Sequence, residues 1–460
     1  MQEATSHHNP LGYLPVRKLL MRFAIPSVIS MLVNALYNIV DQIFIGQGIG
    51  YLGNAATTVT YPLMTIVLAI GTMIGAGGSA YAAIKLGEKK EEEAKATLGN
   101  EFLLLVVIGT IFAIVCLLFL EPILNLFGAT PKNMPYAKDY AAIILLGVPF
   151  NLIGIGLSNM ARTDGSPNVA MYSMLTGAFL NMILDPIYIF VFHWGVKGAA
   201  IATITAQIMG ACILLYYFMK KGKMRLTRKY IRIHFALSKA MLTIGISSGI
   251  TQIAGTLMSI TMNNSLVHYG NLSATGGDVA LSAMGIVVKV SMIITSVCVG
   301  VGIGAQPILG FNKGAKQPLR VKHTYQHAAT TATIMAFIGW ALCLLFPQAI
   351  LSLFGSEDRV FMEFAVHAMR IFMFGIFCSG FQITATSYFQ ATGQPLKASV
   401  LSMMRQLILL IPLILILPIF FGLDGILYAG PIADIASGMI VFVFIQHEMK
   451  KLNKQIQEQE

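Results

Sequence analysis

The chain has 460 residues, 56% of them apolar and 11% charged, with 31 Lys and Arg against 20 Asp and Glu. Those shares lie well above the apolar content and far below the charged content of a water-soluble domain, and so exclude one. The formal charge of +11 does not point to nucleic acid either, because the basic residues gather in short segments between apolar tracts, as in KKGKMRLTRKYIR at 220–232.

The polar opening MQEATSHHNPLGYLP reads as a tail without a cleavable signal pattern, and its His7 and His8 receive no role. Twelve apolar tracts follow, near 18–45, 54–84, 97–120, 138–159, 169–192 and 198–219, then near 240–267, 279–311, 324–346, 364–389, 398–421 and 425–446. Each is long enough to cross or nearly cross a bilayer as a helix, which takes roughly 20 residues. The expected fold is an all-α polytopic membrane protein of twelve transmembrane helices. Five cysteines (116, 212, 298, 343 and 378) stand singly in these tracts and read as small packing residues.

The first tract carries Asp41 in NALYNIVDQIFIG (34–46), where a carboxylate costs about 2.5–3.5 kcal/mol on insertion scales. Tyr37 lies four residues earlier on the same helical face, with Asn34 further along the stripe. Pro26 weakens the hydrogen-bond ladder of the same helix and makes it a candidate hinge or a fixed kink. GIGYLG (48–53) matches a dinucleotide pattern but follows a membrane helix with no strand, and is rejected.

The fifth tract, LNMILDPIYIF (180–190), again places two polar residues four apart, Asn181 and Asp185, just before the helix-bending Pro186. The sixth brings in Thr203. Counted along their helices, Asp41, Asp185 and Thr203 fall within about two turns of the outer end, with Tyr37 and Asn181 a turn deeper, and the five are expected to converge in the outer half of the first lobe. Two carboxylates in one poorly solvated site cannot both ionise cheaply and titrate as a pair. Such a site can hold a proton, or take Na⁺ with hydroxyl and amide oxygens completing the shell. A helix-packing cluster is the alternative.

The second set of tracts lacks this constellation. Met262 stands at the position matching Asp41, and the partner of Asp185 falls in the apolar run around Pro412. Its buried charges are Lys289, Arg405 and Asp434; Lys289 and Asp434 enter from outside to similar depth and are expected to form a structural ion pair. Arg405 either snorkels or lines a central cleft, for which Asn34 and Asn151 are the other candidates. GTMIGAGG (71–78) and VGVGIG (299–304) occupy corresponding places and read as close helix-packing surfaces.

The halves repeat. LFG recurs at 126–128 and 353–355, Gly87 and Gly314 keep the same offset, and DGSP (164–167) matches TGQP (392–395). The expected division is an N-terminal lobe at 1–219, a basic linker at 220–239 and a C-terminal lobe at 240–460. Counted over alternate connections, 23 Lys and Arg lie on one side and 4 on the other, which puts both termini in the cytoplasm. A duplicated bundle with a central cleft has the geometry that alternating access requires.

The chain resembles the multidrug and toxic compound extrusion (MATE) transporters of the DinF branch, close to the MepA-like bacterial exporters. The resemblance rests on IPSVISMLVNALYNIVDQIFIG (25–46), GAGGSAYAAIKLGEKK (75–90), LNMILDP (180–186), AQPILGFNKGA (305–315) and QATGQP (390–395). It implies export of bulky, often cationic small-molecule drugs across the cell (cytoplasmic) membrane against H⁺ or Na⁺ by rocking of the lobes. It also implies a coupling site at Tyr37, Asp41, Asn181, Asp185 and Thr203, with bending at Pro26. No cofactor, no metal other than a Na⁺ at Asp41 and Asp185, no nucleic acid and a monomeric state are expected. A flippase for a lipid or lipid-linked precursor is the alternative. An enzyme is not expected, since no nucleophile–base set, Walker motif or metal-ligand cluster appears.

Overall fold

The computed structural model describes residues 9–49, 51–353 and 359–459; His7, His8 and the Phe354 and Gly355 of the second LFG lie outside them. Among the described residues, twelve helices are long and apolar enough to cross a membrane. Helix is the form such tracts must take, because it satisfies every backbone N–H and C=O internally. The first six are α1 Val16–Ile49, α2 Tyr51–Gly87, α3 Glu91–Leu118, α4 Met134–Thr163, α5 Pro167–Val191 and α6 Gly195–Lys221. The second six are α7 Phe235–Asn271, α8 Gly277–Gly314, α9 Pro318–Leu345, α10 Arg359–Ala391, α11 Pro395–Phe421 and α12 Leu423–Gln457.

The two halves repeat down to their turns. Gly165 and Gly393 both adopt a positive φ, +90° and +72°, that ends a helix sharply, and a proline opens the next helix in each case. The closing hydrogen bonds match too: Ser166 N–H donates to the Ala161 carbonyl and Gln394 N–H to the Phe389 carbonyl. Lys89 and Lys316 share a left-handed backbone at the earlier corner, between the second and third helix of each lobe.

Packing shows where the lobes meet. One apolar cluster joins Leu19, Leu20, Phe23 and Ala24 of α1 to α8, α9, α10 and α12; another includes Met241 of α7 in the core of the first lobe. The first lies toward the end that carries the chain termini; the second runs the length of the first lobe and takes in Met241 at that end. At the far end each lobe has its own core, one built from 45–200 and the other from 262–433. The lobes are therefore joined at the terminus-bearing end and separate at the other.

The joint is a pair of equivalent contacts. A methyl added at Gly87 would sit 1.9 Å from the Phe311 carbonyl oxygen, and one at Gly314 would sit 2.0 Å from the Ile84 carbonyl oxygen. Further in, Gly77 of α2 meets the backbone of Met241 and Gly245 on α7, while Gly304 of α8 meets Ala24 on α1. Backbone against backbone leaves no room for side chains, which is why both glycine-rich stretches sit here.

The basic segment between lobes is shorter than expected, since α6 continues as a π-turn to Lys221 and α7 begins at Phe235. It is strapped to the first lobe. Asp164 accepts from the Tyr217 hydroxyl at 2.6 Å and from the N–H groups of Lys223 and Met224 at 2.9 and 2.7 Å. Asn100 of α3 accepts from His234 N–H at 2.9 Å.

Candidate functional site

At the far end of the first lobe, α1, α4, α5 and α6 converge on a polar group above the 45–200 core. Pro186 explains part of the local shape: it lacks an N–H, and the helix passes into a π-turn at Ile187–Val191. The turn before it carries Asn181 and Asp185, each only 1% exposed. Asn181 Nδ2 donates to Asp185 Oδ1 at 3.3 Å and lies 3.4 Å from Thr203 Oγ1. Thr203 Oγ1 donates to the Ala199 carbonyl at 3.0 Å, which turns its lone pairs toward Asn181.

Asp41 comes in from α1 close to Asp185, and two carboxyls so placed cannot both ionise cheaply. Three oxygens have no protein donor: Asp41 Oδ1, Asn181 Oδ1 and Asp185 Oδ2. This donor set fits either a shared proton or a small hard cation. Tyr37 stands within electrostatic range of both carboxyls. All five residues expected to converge do so.

Sequence reasoning missed a sixth. Tyr140 of α4 is 8% exposed and within electrostatic range of Asp41, Tyr37 and Asp185. Its depth, under two turns from the start of α4 at Met134, is the available signal.

The ion pair of the second lobe differs from the expected one. Asp434 pairs with Arg405, through the Nε and Oδ1 atoms, and not with Lys289. Lys289 is partly exposed and has no ion-pair partner among the described residues. Depth along the chain was matched correctly, but α8 is a seam helix that packs on α1, whereas α11 and α12 are neighbours. Arg405 is thus held by a carboxylate, with its side chain partly exposed. Asn34 and Asn151 are partly exposed on α1 and α4, with no side-chain partner among the described residues.

At the terminus-bearing end, Arg162 of α4 is 3% exposed and its guanidinium reaches Ser27 Oγ at 3.2 Å, Ser158 Oγ at 3.1 Å and Asn159 Oδ1 at 3.3 Å. Pro26, the candidate hinge, is buried one residue before Ser27, and its carbonyl accepts from Ser30 Oγ at 2.8 Å. Counting Arg162 among loop charges had hidden this anchor.

The fold defines a class: a duplicated twelve-helix bundle, joined at one end and carrying a dicarboxylate site in one lobe. The MatE family profile matches residues 26–187 and 248–416, one match in each lobe, and the chain belongs to that family. It is similar to the multidrug export protein MepA of Staphylococcus haemolyticus (strain JCSC1435), 26% identical over 438 residues and 94% of each chain. MepA of Staphylococcus aureus (strain NCTC 8325 / PS 47) is 26% identical over 434 residues, 93% of this chain and 94% of that one. The fold superimposes with a TM-score of 0.91, at 22% identity over 98% and 99% of the two chains, on an outward-facing structure of a multidrug resistance MATE family transporter of the MOP superfamily.

Proposed function

We propose that this protein is an ion-coupled antiporter that exports bulky, often cationic drugs by alternating access, with Asp41 and Asp185 as the coupling-ion site. The observation that carries it is the pair of neighbouring carboxyls with three buried, unpartnered oxygens in the first lobe. A packing cluster would have spent those oxygens on neighbouring donors. The joint at one end and the separate cores at the other support a cleft that opens away from the termini, which the excess of basic connections assigns to the cytoplasm. The similarity to multidrug export proteins favours drugs over a lipid-linked precursor. Within the cycle, binding an ion at Asp41 and Asp185 neutralises the pair and lets α1 and α5 close together; releasing it restores repulsion.

The test is uptake of a fluorescent organic cation into proteoliposomes, with a pH gradient and a sodium gradient imposed separately. Uptake driven by one gradient and lost in Asp41→Asn supports the proposal. Uptake that ignores both gradients overturns it.

A further inference from the structure

One carboxyl takes no part in this scheme. Glu101 of α3 lies about 15 Å from the start of its helix, is 0% exposed, and neither of its oxygens has a hydrogen-bond partner. It fills a slot lined by two glycines. A methyl at Gly78 of α2 would fall 2.0 Å from Glu101 Oε2, and one at Gly156 of α4 would fall 3.0 Å from Oε1. Met241 of the second lobe caps the slot, its methyl 2.9 Å from the same added atom at Gly78.

Among the described residues, no charge answers it. On α2, Lys85 is engaged by Glu88 and Glu93 and lies over the Tyr81 ring; on α4, Arg162 is held by Ser27, Ser158 and Asn159; on α7, Lys239 is exposed. On its own helix, Glu92 and Lys95 pair with each other near the helix start. The second half shows what a purely structural solution looks like here. Ala328 stands in place of the glutamate, and Ala305 and Thr384 in place of the glycines, so three small buried side chains occupy the corresponding positions.

An ionised carboxylate without partners in such a place is prohibitively costly, so the group must be neutral while the slot is shut. We infer that Glu101 is a second proton-binding site, separate from Asp41 and Asp185, which holds its proton while the lobes are joined at the terminus-bearing end. When α7 withdraws with Met241, water reaches the slot and the proton leaves. The linkage follows: the joined state binds one more proton than the parted state, so its advantage is complete at low pH and is lost as pH rises. Because uptake and release occur on the same side, this proton is not transported. It makes the joint sense the pH of that compartment. The inference rests on alternating access for this consequence, not for the proton site itself.

The experiment uses the full chain in nanodiscs with Asp41→Asn and Asp185→Asn combined, so that the coupling site no longer titrates. Spin labels at Lys90 and Leu319, in opposite lobes at the terminus-bearing end, report separation by pulsed electron resonance. The parted fraction should rise with pH, by up to about tenfold per unit for one proton. Adding Glu101→Gln should remove that response and leave the lobes joined. An unchanged pH response in the Glu101→Gln protein overturns the inference. In the same double variant, infrared spectra at neutral pH should show a protonated carboxyl whose band shifts in heavy water. Its absence overturns the proton site even where Glu101→Gln cannot be purified. If the labels never separate at any pH, with or without the Asp substitutions, alternating access fails, and the infrared band alone decides the site.

Discussion

The two lobes use one frame for opposite purposes. Where Arg162 of the first lobe donates to Ser27 at 3.2 Å, Gln390 of the second donates to Ser248 at 2.7 Å, the same contact without the charge. Where α5 meets α6 in the first lobe, Gly177 lies against the Ala206 carbonyl, 3.4 Å from an added methyl. The corresponding residues of the second lobe, 228 positions later, are Arg405 and Asp434, joined as an ion pair. The first lobe leaves buried charges without a counter-charge; the second either lacks them or pairs them. An unpaired buried charge is costly and responsive, and a paired one is inert unless broken. On the proposed function, this asymmetry puts the chemistry in the first lobe and the support in the second.

The sharpest way to break this comparison is at Asp41. Asp41→Asn removes a costly charge and should fold and insert normally, while gradient-driven uptake per folded molecule falls to background; Asp185→Asn should follow, somewhat less severely. Near wild-type coupled uptake would return the site to helix packing.

On the supporting side, Asp434→Asn or Arg405→Gln should lower stability by about 3–5 kcal/mol, since each strands a buried charge. Exchanging the two residues should recover part of the loss, read as a melting temperature in detergent. Lys289→Gln should leave that temperature nearly unchanged. A large effect at Lys289 would revive the pairing that depth alone suggested.

Smaller and more diagnostic are the seam glycines. Gly87→Ala and Gly314→Ala should each cost about 1–3 kcal/mol, because a methyl collides with a carbonyl oxygen on the other lobe. The two should weaken the joint equally, as seen in spin-label distances between Lys90 and Leu319. Unequal effects would show that the halves do not share the seam evenly.

The least change is expected at the tyrosines. Tyr140→Phe and Tyr37→Phe should shift the pH or Na⁺ dependence of uptake by about 1 kcal/mol, the usual worth of one hydrogen bond, without abolishing it. Abolished uptake in a folded Tyr140→Phe protein would make that hydroxyl part of the ion site proper.

Much of this was legible in the sequence because membrane helices leave few choices. Tract length gave the twelve spans, and the repeat of Gly87 and Gly314 gave the two lobes. Spacing of four and matched depth brought Asp41, Asn181, Asp185 and Thr203 together, since both quantities run along the helix axis. What the sequence withheld was lateral: which helix stands beside which. That is why depth alone pairs Asp434 with Lys289 in place of Arg405, and why it does not by itself single out Tyr140. Glu101 and Arg162 escaped for a related reason. Each sits near the boundary of an apolar tract, where a charge reads as a loop residue until the neighbouring glycines and serines are seen around it.

The seam glycines carry a mechanical consequence. Two identical latches set on either side of a pseudo-twofold axis share any load that pulls the lobes apart, so neither yields first and no half-opened hinge line is built in. Each latch is also made of main chain, the one part of a protein that side-chain drift cannot retune. On the proposed function, the lining of the cleft, and with it the range of cargo, can vary widely while the geometry of the swing stays constant.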